Sequence, residues 1–289
     1  MGFKNPPPVD DDYVRPPLVP GAPGAVSPLV RRVVAPNASL PDEPGTNAYL
    51  VGIDEVVVVD PGPNAADHLD TVARAAMVER LTAIVLTDVT PEHAAGAERL
   101  ADMADIPILA ADRRNAATRV DRVLADGDTI DGTEFRLVVV PTPGLRPGQI
   151  SLWLEEERLV FTGDTVLEGT HPVLSPKSGA DLGAYLESLD RLARLRPRKF
   201  APGSGYVIDD PLGWLDECRA HWASVEGSVV AALADGPAKI ADLVNALHPD
   251  LNDEERAAAA DVVHAVLLKL KADGRVAGRA ARESWRRAA

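Results

Sequence analysis

The sequence predicts an α/β fold: two mixed sheets packed on each other with helices outside, followed by a small helical domain. Three observations predict it. Strands come first as a hairpin series, then alternate with helices, then return as hairpins and alternate again, whereas a doubly wound sheet would alternate throughout. After about Leu212 the strand signal vanishes. Three amphipathic helices and a short wing then fill the C-terminal end. The 289 residues are ample for a large core.

Residues 1–28 carry eight of the 25 prolines and an Asp10-Asp11-Asp12 run. Proline removes donors and fixes φ, so this arm is expected to form neither a ladder nor a long helix. Residues 29–212 form the expected main domain. Val30–Val34, Ala48–Val51 and Glu55–Asp60 read as strands, separated by turn residues and stopped at Pro61-Gly62-Pro63. Asn64 is the expected cap of a helix carrying Leu69, Val72 and Ala76 on one face. Thr82–Leu86 is a buried strand, followed by a helix near Glu92–Ala104 and a short strand at Ile108–Ala110. Thr133–Val140, Gln149–Leu154 and Arg158–Phe161 return as strands. Leu182, Leu186, Leu189 and Leu192 space one face of a helix over Leu182–Leu195, and Phe200–Ala201 starts a last strand.

Residues 213–289 form the expected C-terminal domain. Leu215–Leu233 is helical, Ile240 to Leu247 is a short amphipathic helix, and Asn252 with Glu255 makes a capping-box start for a long third helix. Arg275–Ala277 can form a wing strand, which completes a winged-helix pattern. From Lys269 onward, seven Lys or Arg stand against Asp273 and Glu283.

Composition excludes several functions. The formal net charge is −14, which repels polyphosphate, so the basic C-terminal end is expected to serve oligomerisation rather than nucleic-acid binding. No apolar run approaches the ~18 residues of a membrane span, and the proline-rich start is no signal peptide. The lone Cys218 rules out an internal disulfide and a cysteine-only zinc cluster; it is expected to be inert packing. A cytoplasmic location is the default. Neither a dinucleotide turn nor a phosphate-cradling loop is present. Histidine is scarce, six in all.

Four loops carry a family resemblance: Thr87-Asp88-Val89-Thr90-Pro91-Glu92-His93-Ala94-Ala95-Gly96, Thr142-Pro143-Gly144-Leu145, Thr162-Gly163-Asp164 and Pro202-Gly203-Ser204-Gly205. Gly45 to Val51 and Val59-Asp60-Pro61-Gly62 agree with them. In this order they resemble the metallo-β-lactamase superfamily, near its glyoxalase II and endoribonuclease-like branch with a C-terminal winged helix. The resemblance implies an αββα sandwich and a hydrolase lineage. Members build two metal sites from a His-x-His-x-Asp-His run, a histidine after Thr-Pro-Gly, a bridging aspartate and a final histidine. The metal-bound water then attacks an ester, thioester, amide or phosphodiester.

Carried onto this chain, the run is Asp88, Thr90, Glu92 and His93; the Thr-Pro-Gly histidine is Leu145, the bridging acid Asp164 and the final histidine Ser204. One family histidine of five survives. A site of Asp88, Thr90, Leu145 and Asp164 cannot hold a metal. Glu92, His93 and Asp164 are the expected ligands of at most one weakly bound divalent metal, magnesium or manganese rather than zinc. Without metal, Asp88, Glu92 and Asp164 would converge uncompensated. Arg146, beside Leu145, is the candidate cation to enter the vacated first site. Asp60 stands where the family orients its ligands.

His93, Asp164 and His171 are the candidate acid–base groups. Ser204 lacks a nucleophile elbow. His68, His221, His248 and His264 are expected at helix or loop surfaces. The favoured reading is a hydrolase-family protein with a dismantled dinuclear site. It would bind a small acyl or ester-like molecule in the former metal cleft or run metal-free acid–base chemistry there. Two alternatives stand beside it: a one-metal hydrolase on Glu92, His93 and Asp164, and a non-catalytic scaffold or regulatory protein.

Overall fold

The valine run of the third predicted strand shows how the layers form. Successive strand side chains point to opposite faces. Val57 and Val59 therefore enter the core between the sheets, while Val56 and Val58 enter the core under the outer helices. A strand buried on both faces reads as an unbroken apolar run.

The computed structural model describes residues 17–38, 45–114, 116–278 and 284–288. The first sheet takes the order β1 (Pro23–Ala25), β2 (Val30–Val34), β3 (Asn47–Val51), β4 (Glu55–Val59), β5 (Arg80–Leu86), β6 (Ile108–Ala110), β7 (Arg122–Val123). It is antiparallel from β1 to β4 and parallel from β4 to β7. The second holds β8 (Thr129–Asp131), β9 (Arg136–Pro141), β10 (Ile150–Leu154), β11 (Leu159–Gly163) and β12 (Lys199–Pro202), with only β11–β12 parallel. Tyr49 meets Phe161 edge-on between the sheets, ring centroids 5.1 Å apart. Helices α1 (Ala66–Ala75), α2 (Pro91–Ala94) and α3 (Ala97–Ala104) follow strands of the first sheet; Leu69 and Leu100 of α1 and α3 seal its outer face. Helix α4 (Leu182–Arg194) covers the second, capped at its start by Asp181, which accepts from the Ala184 amide.

The C-terminal domain consists of α5 (Pro211–Ala232), α6 (Ile240–Leu247), α7 (Asp253–Ala272) and a wing of β13 (Val276–Ala277) with β14 (Arg286–Arg287). The Asn252–Glu255 capping box forms as expected. One apolar core runs from Leu189 and Phe200 through Trp222 to Leu270 and Trp285, so this domain is built onto the helical cover of the second sheet. Inside it, Glu226 is buried and accepts from Lys269 Nζ at 2.7 Å and Arg275 Nη1 at 2.8 Å. Glu226→Gln keeps the volume but leaves two cations facing a neutral amide. We expect a loss of about 1–2 kcal/mol, read by urea unfolding.

Several expectations are corrected. The arm is not free of ladder structure: Pro23–Ala25 pairs with β2, because an edge strand tolerates proline. Its first sixteen residues lie outside the described ones, as do 279–283 of the basic segment. Asn64 is not the cap of α1; Ala65 is, with no side-chain bond. The helix predicted near Glu92–Ala104 is two helices. Gly96 breaks it by donating to Gly62 O, while Gly62 donates to His93 O, which ties two loops together. The strand predicted from Thr133 starts at Arg136, and β7 and β8 are too short and polar to show an apolar pattern.

Candidate functional site

Strand ends supply the site. Asp60 follows β4 in a left-handed conformation, φ 49°, uncommon outside glycine. That turn returns its carboxylate to the end of β5. There Oδ1 accepts from the Thr87 amide at 2.8 Å and Oδ2 from the Thr87 hydroxyl at 2.5 Å. His93, in the short α2 just beyond β5, is fully buried and lies between two acids. Its Nδ1 is 3.2 Å from Asp60 Oδ2 and its Nε2 is 3.0 Å from Asp164 Oδ2. Asp164 follows β11 and keeps about a quarter of its side chain exposed (26%). Gly203, after β12, closes over the pair: a Cβ there would stand 2.7 Å from His93 Cε1 and 2.9 Å from Asp164 Oδ1.

Electrostatics follow from this geometry. Burial alone would push the His93 imidazolium toward the neutral form. The pull of Asp164 and Asp60 on either side overrides it and raises His93 well above its ordinary value. Asp164 is opposed by burial too, yet His93, with Arg146 beyond, holds its carboxyl below the ordinary range.

A second couple sits beside the first. Asp88, 3% exposed, accepts from the Thr90 amide at 2.8 Å and from Arg146 Nε at 2.8 Å. Burial pushes its carboxyl upward, and Arg146 only partly offsets that. Arg146 thus lies where the sequence reading placed it, on an acid of the first site. The loop that presents it needs Gly144: φ is 133°, and a Cβ would stand 2.3 Å from Tyr185 Cα.

The other candidates divide. Thr90 is half-buried with its hydroxyl unpartnered. Leu145 packs into the apolar core with Tyr185 and Val166. Ser204 is half-buried in a backbone bridge to Thr46. Three expectations are corrected. Glu92 does not converge with Asp88 and Asp164; one residue along a helix is about 100° around it, so with His93 inward Glu92 is exposed. His171 makes no hydrogen bond or ion pair to Asp164 among the described residues. Its ring is drawn to α5, stacking on His221 at 3.8 Å and Trp214 at 5.7 Å. His68 is no surface residue: it is buried, and a ring nitrogen lies 2.9 Å from Pro61 O. Cys218 is buried, which pushes its thiol up to about 11.

A two-sheet sandwich with acids and a histidine on its strand-end loops is a hydrolase architecture, and similarity to known proteins agrees. Residues 41–204 match the metallo-beta-lactamase superfamily, and 240–285 match the beta-lactamase associated winged helix domain. The chain is 31% identical over 263 residues to a beta-lactamase-like protein 2 homolog of Caenorhabditis elegans, covering 86% of each. It is 28% identical to an atrochrysone carboxyl ACP thioesterase of Aspergillus chevalieri, covering 87% of this chain and 84% of that one. The fold superposes on a beta-lactamase domain protein from Burkholderia ambifaria with TM-score 0.76 at 20% identity, over 96% of each chain. A metallo-beta-lactamase family protein from Thermus thermophilus gives 0.73 at 22% identity, over 91% of this chain and 100% of that one. The chain belongs to the metallo-beta-lactamase superfamily.

That fold implies a metal centre, and the residues present do not fit one. Leu145 has no donor atom, and a neutral threonine hydroxyl is a poor ligand. Asp88 is engaged by a guanidinium. Both nitrogens of His93 stand within 3.2 Å of carboxylate oxygens. Among the described residues no three His, Cys, Asp or Glu side chains are grouped as an ion would require. Nor is any helix among them long and apolar enough to cross a membrane.

Proposed function

We propose that this protein is a ligand-binding member of its superfamily with a dismantled dinuclear site, in which His93 and Arg146 take the place of the metal ions. Its cleft binds a small acyl or ester-like molecule, and no metal-bound water attacks it. The observation that carries this reading is the seating of His93 between Asp60 and Asp164. A metal-ligating histidine turns a nitrogen lone pair to the ion and one N–H to an acid; here both nitrogens face acids. The arrangement also favours binding over acid–base turnover. A buried imidazolium held by two carboxylates is already protonated, so it is no base, and it releases its proton reluctantly.

The thioesterase among the relatives supports a thioester as the first probe. We expect protein purified without chelator to carry less than about 0.1 equivalent of any transition metal. Addition of manganese should produce no hydrolysis of an N-acetylcysteamine thioester. The same thioester should raise the melting temperature in a saturable way. An equivalent of bound metal, or manganese-dependent turnover, would instead favour the one-metal hydrolase on Glu92, His93 and Asp164. No shift with thioester or ester would favour the scaffold reading.

A further inference from the structure

Beside the Arg146–Asp88 couple opens a cavity of about 410 Å³, the size of a small-molecule site. Two arginines line it, Arg146 on the β9–β10 loop and Arg114 on the loop after β6. Gly148 lets these loops meet: a Cβ there would stand 2.4 Å from Asp112 Cβ. Each guanidinium is held along one edge by an acid. Arg146 donates to Asp88 through Nε alone, at 2.8 Å. Arg114 donates to Asp112 through Nε at 3.0 Å and Nη2 at 2.7 Å, and its backbone N–H joins them at 2.9 Å. Among the described residues, neither Nη of Arg146 nor Nη1 of Arg114 has a partner. These donors are within reach of a ligand. Arg146 keeps 35% of its side chain exposed and Arg114 77%, and no Arg146 nitrogen is among the buried polar atoms left without a partner.

The donor count favours an anion. Asp88 is buried, with one oxygen on the Thr90 amide and the other on Arg146. Both oxygens of Asp112 are taken by Arg114. The acids are thus engaged, while each guanidinium keeps N–H groups unused. Paired N–H groups of an arginine match the two oxygens of a carboxylate. Charge selects the carboxylate over a phosphate monoester. Two arginines against two aspartates leave this wall neutral, in a chain of net charge −14. A phosphate monoester would bring close to two negative charges there, a carboxylate only one. Val89, Pro91 and Pro147 supply apolar wall for a short carbon chain. We propose that this cavity binds a small monoanionic acyl molecule, an ester or thioester with a free carboxylate at its far end, gripped by Arg146 and Arg114. The inference rests on the reading above in taking an acyl ligand, and Arg146 rather than a metal as the partner of Asp88.

The test is a nuclear magnetic resonance titration of the full chain with monomethyl succinate, its neutral dimethyl ester, and ethyl phosphate. The arginine Nε–H resonances report it, assigned by their loss in Arg114→Gln and Arg146→Lys. We expect monomethyl succinate to shift both saturably, with a dissociation constant on the order of millimolar for so small a probe. The dimethyl ester and ethyl phosphate should each bind at least about fivefold more weakly. Arg114→Gln should weaken monomethyl succinate at least about fivefold with little change in melting temperature, because an exposed ion pair adds little stability. Arg146→Lys keeps a cation for Asp88 but loses the fork, and should weaken it by at least as much. Four results would overturn the proposal: equal binding of the dimethyl ester, tighter binding of ethyl phosphate, unsaturable shifts, or full affinity in Arg114→Gln. Bound metal in protein purified without chelator would sink the functional reading and leave a saturable, charge-selective titration standing. A metal-free protein that shifts with thioester but binds monoester and diester alike would sink this inference alone, so the two failures are separable.

Discussion

His93→Leu is expected to lower the unfolding free energy by about 3–5 kcal/mol at pH 7, the cost of removing one partner from a buried ionic group. Leucine fills similar space, so the loss is electrostatic. Asp60 and Asp164 would face each other across an apolar side chain with no cation between them. His93→Gln should lose less, because its amide can still donate to one acid.

The pH dependence separates this from a packing defect. The folded-state value of His93 is raised. Its contribution is therefore complete below the unfolded value, ~6.5, and is lost as pH rises through the folded value. Asp164 is lowered. Its contribution is present above its unfolded value and lost as pH falls through the folded one. The parent should be most stable between these limits and weaken on the alkaline side. His93→Leu should show no alkaline slope from this site. Urea unfolding from pH 6 to 10 reads both. A parent flat across that range, or a leucine variant within ~1 kcal/mol of it, would refute the buried imidazolium.

Much of this was legible before any coordinates, for identifiable reasons. The β4 valines and the α4 leucines are long, regular patterns with burial behind them, so periodicity finds them. Asn252 and Glu255 sit at the spacing a capping box needs, and the box forms. The Arg146–Asp88 contact followed from charge balance: an acid predicted in a cleft without metal needs a cation, and Arg146 adjoins Leu145, the position of a missing family ligand. What escaped was set by contacts distant in the chain. Gly96 breaks a helix because Gly62 crosses it, and no local pattern records that. Glu92 was grouped with Asp88 by the order of the loop, whereas the helical turn through His93 sends it outward. His171 was assigned to Asp164 by sequence proximity, but the aromatic face of α5 lies nearer its ring.

Arg146→Ala is expected to lose about 2–3 kcal/mol at pH 7. The figure lies below that for a fully buried pair because Arg146 keeps about a third of its side chain in solvent. Asp88, with a side chain only 2% exposed, would keep the Thr90 amide and lose the one cationic hydrogen-bond partner it has among the described residues. Asp88→Asn alone should fall within ~1 kcal/mol of the parent. The amide oxygen still accepts from Thr90, and the freed guanidinium can reach water. In the double variant most of the loss should disappear, giving a coupling of about 2 kcal/mol. The sign with pH follows from Asp88, whose folded value is already raised by burial. Removing Arg146 raises it further, so the penalty is small when the carboxyl is protonated and grows as pH rises. Arg146→Ala should therefore approach the parent near pH 4.5 and fall furthest behind near pH 8. The one-metal alternative on Glu92, His93 and Asp164 predicts instead bound metal in parent and variant alike, since Asp88 is not among its ligands. Unfolding curves at the two pH values, with metal analysis of the same samples, decide between the two.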